Sequence, residues 1–110
     1  MDREMSLSQP ANLVRLVRTS GLCILRQLRL EEKLLRSPGA GNWCLLNDGT
    51  PERSVVLGIS GKPHQLVDVR RALDDGVRVI KRFSGGGTVI VDRDTQFVTL
   101  VMNAAAVPDL

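Results

Sequence analysis

The sequence predicts an α+β fold in which helices pack on a mixed or largely antiparallel sheet. Its 110 residues, with a mass of 12.0 kDa, suit one small domain. Short apolar runs rich in β-branched residues outnumber the helical segments, and turn residues separate these runs. Together these observations predict the element order α-β-β-α-β-β-β, with tight turns between neighbouring strands.

The first predicted element is a helix over Leu22–Arg36. This segment contains no glycine or proline, is rich in leucine and ends before Pro38. Gln27 and Glu31 fall inside its apolar arc, where a carboxylate needs a hydrogen-bond partner or a wet cavity. Glu31 is therefore a candidate pocket residue, and a bond to a nearby backbone amide is its structural alternative. The opposite stripe, which we expect to face water, consists of Arg26, Arg29, Lys33 and Arg36.

Two strands and a second helix are predicted in the middle of the chain. The runs Trp43–Leu46 and Ser54–Ile59 are apolar and partly β-branched, with Asn-Asp-Gly turn residues between them. Apolar residues then recur at helical spacing, which predicts one amphipathic helix that begins at Pro63 and ends before Gly76. His64 lies on its solvent side without a Ser, Cys or acid at catalytic spacing, which indicates a surface histidine.

The last part of the predicted order contains three strands, Val77–Phe83, Thr88–Asp92 and Gln96–Met102. Arg93-Asp94-Thr95 is expected to join the last two as a hairpin. The final residues, Asn103–Leu110, carry no closing element. Because a sheet needs its open edge or face covered, we expect either a partner or a continuation of the parent protein to complete it.

Composition argues against several classes of function. The net charge of +3 and the pI near 9.4 suit a polyanion, but 3% aromatic residues are too few for base stacking, so nucleic acid is not the expected partner. Cys23 and Cys44 form no CxxC pattern, and with one histidine no zinc framework can be built. No apolar run reaches the ~18 residues of a membrane span, and no signal peptide is apparent. We expect a soluble intracellular protein without a membrane partner, cytoplasmic by default and mitochondrial as the alternative.

The most informative segment is residues 81–92, which read KRFSGGGTVIVD. Its three glycines leave backbone N–H groups unshielded and permit positive φ. Lys81 and Arg82 precede them, and Arg82 can hold a carboxylate or phosphate through two parallel hydrogen bonds. The segment lacks the GxxxxGK[ST] pattern and links two strands, so it is neither a P-loop nor a dinucleotide fingerprint. It predicts a pocket for an anionic group, with a plain flexible turn as the alternative.

This segment resembles the RRxSGGGxVxHD motif of the lipoate-protein ligase branch of the biotin/lipoate-protein ligase family. Every motif position matches except the first Arg, which is Lys81 here, and the His, which is Val91. The resemblance extends over most of the chain, from about Leu22 to Met102. Three flanking segments are similar to the family's LxxEE, VIGxxQNP and DGVPVVRR patterns: Leu28–Glu32, Val56–Gly58 with Pro63, and Asp75–Ile80.

The resemblance implies a function: ATP-dependent activation of lipoate or octanoate and transfer of the acyl group to a lysine of a carrier protein domain. Mg²⁺ is a candidate cofactor. Residues 1–110 would form the N-terminal part of a single, truncated catalytic domain, with no second domain. The mechanistic lysine would lie beyond Leu110, because all three lysines of the chain precede the glycines. The implied substrate or adenylate contacts are Arg82, Ser84, Gly85, Gly86, Gly87, Thr88, Glu31 and Lys81.

A second interpretation is a non-catalytic relative that keeps the scaffold and binds a small acid, a nucleotide or a partner protein. It follows from two departures from the family pattern, namely the missing lysine and the Val91 that replaces the motif histidine. Under either interpretation, the 110-residue chain by itself is expected to be inactive.

Overall fold

The computed structural model describes residues 13–107, and these form an α+β fold as the sequence predicts. The strands are β1 Val14–Ser20, β2 Asn42–Asp48, β3 Ser54–Leu57, β4 Arg78–Lys81, β5 Val89–Val91 and β6 Gln96–Val101. The helices are α1 Ile24–Leu35, α2 Pro63–Leu66 and α3 Val69–Asp74, with short 3₁₀ turns at Pro38–Ala40 and Ala104–Ala106.

The strands are divided between two three-stranded mixed sheets. In the first sheet the order is β1-β2-β6, with β2 parallel to β1 and antiparallel to β6. In the second sheet the order is β4-β3-β5, with β3 parallel to β4 and antiparallel to β5. Strands that follow each other closely in sequence, β2 and β3 or β5 and β6, therefore lie in different sheets.

A sharp corner joins the two sheets. Asp48 pairs with Gln96 at the end of the first sheet, and Ser54 pairs with Val91 at the start of the second. Between these pairs, the N–H of Gly49 donates to the carbonyl of Thr95 at 2.8 Å, and further bonding continues towards β5. The two antiparallel pairs are thus one long ribbon that bends as it passes from sheet to sheet.

This corner overturns the predicted hairpin between Thr88–Asp92 and Gln96–Met102. Each strand pairs with a strand from earlier in the chain, so β5 and β6 are not neighbours. The turn at Arg93-Asp94-Thr95 is present, but it redirects the chain into the other sheet. Its Asp and Thr residues suit a sheet-changing corner as well as a hairpin, since turn chemistry specifies only the local reversal.

Helix α1 lies between the sheets and supplies much of the shared core. Ile24 and Leu28 are buried against Val56 and Val91, with Phe97 packed beside them. The predicted basic stripe of this helix is exposed, which confirms the predicted orientation. The helix begins where the N–H of Ile24 donates to the buried Thr50 hydroxyl at 2.9 Å, so a residue of the corner satisfies an otherwise unpaired helix-terminal amide.

The predicted single helix from Pro63 is wrong, because the segment forms two short helices. Val67 is extended, and the Asp68 carboxylate accepts a hydrogen bond from the N–H of Arg71 at 3.0 Å, which starts α3 as a new helix. Of the expected apolar face, only Ala72 is buried. Among residues 13–107, no helix is long and apolar enough to cross a membrane.

Strand β1 is absent from the predicted order, although its residues Val14–Ser20 include β-branched types. Arginines interrupt its apolar pattern. Its outward side continues an apolar face across the first sheet, on the side opposite α1, where Leu16, Leu100 and Val98 are 56%, 63% and 67% exposed. Within residues 13–107, the first sheet is therefore packed on one face and exposed on the other.

Candidate functional site

The glycine segment, which we define as Ser84–Thr88, connects β4 to β5, and each of its residues is exposed. Two backbone hydrogen bonds of 2.9 Å tie it and its entry to the end of β3. The N–H of Ile59 donates to the carbonyl of Ser84, and the N–H of Arg82 donates to the carbonyl of Leu57. The segment links two strands and opens no helix, as predicted from the sequence.

Gly58 allows the glycine segment to approach the end of β3 closely. A Cβ atom on Gly58 would overlap the carbonyl oxygen of Gly86 and lie 2.9 Å from its nitrogen. Gly86 has a φ of +121°, a conformation that side-chain-bearing residues rarely adopt. Both glycines are therefore required by local geometry, one for the approach and the other for the backbone conformation.

The Arg82 guanidinium is bonded to the backbone of the glycine segment. Its Nη2 donates to the carbonyls of Gly87 at 2.9 Å and Gly85 at 3.1 Å, and its Nε donates to Gly85 at 3.3 Å. Arg82 is half-buried, whereas the adjacent Lys81 is exposed. The structure thus brings Lys81, Arg82 and the glycine segment together, and their contact with substrate stays a prediction.

Glu31 is part of a different hydrogen-bonded group. Its carboxylate accepts bonds from the Thr99 hydroxyl at 2.8 Å and from the Gln27 amide at 3.0 Å, so it joins α1 to β6 of the first sheet. These partners are side chains, not the backbone amide of the structural alternative. The bonds described for Glu31 do not include the glycine segment, and its role in a pocket stays a prediction.

Asn47 is the centre of the same buried polar group. Its amide nitrogen donates to the Leu22 carbonyl at 2.9 Å and to the Gln27 side-chain oxygen at 3.0 Å. Its oxygen accepts from the Leu22 N–H at 3.0 Å and from the Thr19 hydroxyl at 2.8 Å. Both hydrogens and the oxygen of this amide are therefore satisfied inside the fold.

Three open cavities surround the corner between the sheets, two of about 250 Å³ and one of about 240 Å³. One of the two 250 Å³ cavities lies on the exposed face of the first sheet beside Arg18, Asp48 and Gln96. The other two share Pro51 and Arg93. None of these three is lined by the glycine segment.

Cys23 lies at the start of α1 in an environment that stabilises its thiolate. Burial by itself would raise the pKa of the thiol. Three groups stabilise the thiolate: the backbone N–H groups of Leu25 and Arg26, and the Arg78 guanidinium, which lies 3.7 Å from the sulfur. Together they outweigh the effect of burial, so the pKa of Cys23 is lowered. We assign no ligand to this position.

We expect Cys23 to react with iodoacetamide at a lower pH in the folded chain than in urea, because a lowered pKa enriches the thiolate near neutrality. The measurement is the pH profile of alkylation in a Cys44→Ser variant, which leaves one thiol. Adding Arg78→Gln should move the midpoint upwards by removing one stabilising charge. Identical alkylation profiles for the folded and unfolded chain would contradict a lowered pKa for Cys23.

Residues 23–109 match the lipoyl protein ligase A/B catalytic domain. The chain belongs to this family. Within this lipoyl ligase family, a relative called inactive lipoate-protein ligase 2, from Plasmodium falciparum (isolate 3D7), is 26% identical over 116 residues. That match covers 83% of the present chain and 29% of the relative.

Two solved structures of lipoate ligases have a similar fold. One, from T. acidophilum with bound lipoic acid, is 24% identical with a TM-score of 0.66, and the match covers 79% of this chain and 36% of that one. The other, lipoate-protein ligase A bound with ATP, is 26% identical with a TM-score of 0.58, and the match covers 72% and 32%. The chain thus spans about a third of the length of these relatives.

The family motif is altered here at a core position. Val91, which stands where the motif has histidine, is 4% exposed and packs with Ile24, Leu28 and Val56. The side chain at this position contributes to the apolar core between α1 and the second sheet. The valine therefore suits its surroundings, because an imidazole there would need a buried hydrogen-bond partner.

Sequence reasoning located the glycine segment of the present chain but missed the groups that support it. The pairing of Gly58 with Gly86 had one signal, the VIG pattern that Val56–Gly58 resembles. The Asn47 group had a weaker signal, the polar Gln27 in an apolar arc. The position of Cys23 beside Arg78 joins residues far apart in sequence, and no local pattern indicates it.

Proposed function

We propose that this chain supplies the acyl- and adenylate-binding part of a lipoate-protein ligase catalytic domain. The carboxylate of lipoate or octanoate would attack the α-phosphate of ATP and release pyrophosphate. The lysine amine of a carrier domain would then take the acyl group from the adenylate and release AMP. The observation that carries this proposal is the exposed glycine segment held by Arg82, in a chain whose residues 23–109 match the family.

The chemistry of the glycine segment supports an anionic ligand. Among residues 13–107, the N–H groups of Gly85, Gly86, Gly87 and Thr88 have no hydrogen-bond partner. Unpaired amides next to two cations favour carboxylate and phosphate oxygens, which are the groups that acyl adenylation brings together. We expect Mg²⁺ to arrive with the nucleotide, since within this range no three His, Cys, Asp or Glu side chains form a metal-binding group.

We further propose that these residues belong to a single catalytic domain whose remaining elements pack on the open face of the first sheet. Leu16, Val98 and Leu100 offer an apolar surface there. The two cysteines are free, which suits a reducing intracellular compartment, either the cytoplasm or the mitochondrion. Carrier-lysine recognition would also depend on elements outside these residues.

The 110-residue chain is expected to show no ATP–pyrophosphate exchange with lipoate or octanoate. Lys33, Lys62 and Lys81 all precede the glycine segment, so the lysine that the family resemblance implies after it is not among these residues. The measurement is the incorporation of labelled pyrophosphate into ATP, against a blank without protein. Robust exchange would contradict the proposal that the 110-residue chain lacks the mechanistic lysine.

A non-catalytic relative is the second candidate, and two observations favour it. The P. falciparum relative is called inactive, and Val91 replaces the motif histidine. Pyrophosphate exchange by the full-length parent protein separates the two candidates. A ligase parent exchanges with lipoate, whereas a non-catalytic parent binds lipoate or ATP without exchange.

A further inference from the structure

We infer that Arg82 is a positioning residue: it holds the carbonyls of the glycine segment and directs the N–H groups of Gly86 and Thr88 towards the anionic ligand. This inference rests on the proposed function for the identity of the ligand. The part that concerns the unliganded protein rests on hydrogen-bond geometry alone.

The guanidinium of Arg82 is already occupied by the protein itself. It makes three contacts of 2.9–3.3 Å with two carbonyl oxygens, those of Gly85 and Gly87. These carbonyls are neutral, so they leave the charge of Arg82 uncompensated. No carboxylate of residues 13–107 forms an ion pair with it. Arg82 therefore fixes the segment and keeps a positive field beneath it.

Peptide geometry decides which way the amides point. In a trans peptide, the carbonyl of one residue and the N–H of the next point in opposite directions. With the carbonyls of Gly85 and Gly87 aimed at Arg82, the N–H groups of Gly86 and Thr88 must point away from it. Neither N–H has a hydrogen-bond partner within the described range 13–107.

Gly58 holds the segment from another direction. The peptide of Gly86 lies so close to Gly58 that a Cβ there would overlap its carbonyl oxygen. Gly86 is thus packed closely against Gly58, while the carbonyls of its neighbours Gly85 and Gly87 are hydrogen-bonded to Arg82. These contacts restrain the segment before a ligand binds, and they preorganise the two outward amides for an anion.

The first test uses NMR spectra of the unliganded 110-residue chain with ¹⁵N and ¹³C labels. Arg82→Gln should move the carbonyl-carbon signals of Gly85 and Gly87 and the amide signals of Gly86 and Thr88. Arg82→Lys should also move them, since an ammonium lacks the two-armed fork, and it serves if the glutamine variant does not fold. Arg70→Gln, the same change at an exposed position in α3, is the matched control and should leave them in place. Unmoved signals in the Arg82 variants would overturn the inference.

The second test compares lipoate with lipoamide, which has the same chain but no charge. Arg82→Lys keeps the positive charge and loses the fork. A positioning role therefore predicts that both ligands lose affinity, because both present an oxygen to the displaced amides, and that the loss is roughly ten-fold for lipoate. Arg70→Lys makes the same chemical change at an exposed position in α3 and should change neither affinity. A loss confined to lipoate would overturn the inference, because it would mean that Arg82 grips the carboxylate directly.

These two tests keep the inference distinct from the proposed function. If the unaltered chain binds neither ligand, the proposed function fails for this chain, and the spectra of the unliganded variants still decide whether Arg82 holds the segment. If the chain binds both ligands but the spectra do not respond to Arg82, the positioning role is wrong and the proposed function stands.

Discussion

Replacing Asn47 with aspartate is expected to destabilise the fold by about 3–5 kcal/mol, the usual cost of an uncompensated buried charge. Asn47 is 4% exposed, and its amide nitrogen donates to the carbonyl of Leu22 and to the side-chain oxygen of Gln27. In the variant, a carboxylate oxygen would face these two acceptors. Two attractive contacts would become repulsive inside the group that joins α1 to the first sheet.

The measurement for Asn47→Asp is the free energy of unfolding from urea titration at neutral pH. Asn103→Asp is the matched control, because it makes the same chemical change at an exposed position and should alter stability by less than ~0.5 kcal/mol. Equal stability of the two variants would show that the Asn47 group does not hold the helix in place.

Replacing Gly49 with alanine is the second change with a large expected effect. Gly49 has a φ of +79°, and a Cβ there would lie 2.5 Å from the carbonyl oxygen of Arg93, a backbone atom that cannot rotate away. Unfavourable backbone conformation costs ~1 kcal/mol. The overlap at the corner should raise the total above about 2 kcal/mol, in the range of overpacked sites.

Gly21→Ala separates the two contributions for Gly49. Gly21 has a similar φ of +68°, but nothing lies within 4 Å of its Cβ position. Gly21→Ala should therefore reduce the free energy of unfolding only by the cost of the backbone conformation, as measured by thermal or urea unfolding. If both alanine variants lose the same stability, the close approach of Gly49 to the Arg93 carbonyl at the corner is wrong.

Local patterns predicted those parts of the fold that depend on neighbouring residues. The helix over Leu22–Arg36 and its basic stripe were predictable because a helix places each side chain by a fixed rotation. The connection of two strands through the glycine segment was predictable because the glycines and the two apolar runs are adjacent in sequence. Turn residues mark where a chain reverses and not which strand it pairs with next, so local sequence patterns could not predict the corner at Gly49.

The candidate site was predictable in its location and not in its internal bonding. The glycines and the two cations identify a place for an anion, but sequence cannot tell whether Arg82 points at a ligand or at the carbonyls of Gly85 and Gly87. Glu31 shows the same limit. Its position in an apolar arc predicted a hydrogen-bonded carboxylate, while its partner Thr99 comes from a strand far along the chain.

The central claim, that the glycine segment binds the acyl-adenylate group, is tested most directly by NMR titration. The probe is a lipoyl-adenylate analogue with a sulfamate in place of the phosphate, added to the ¹⁵N-labelled 110-residue chain. We expect saturable shifts at the amides of Gly85, Gly86, Gly87 and Thr88, and their loss in Gly58→Ala. An absence of saturable shifts in this segment, or saturation confined to the corner cavities around Arg93, would contradict the claim.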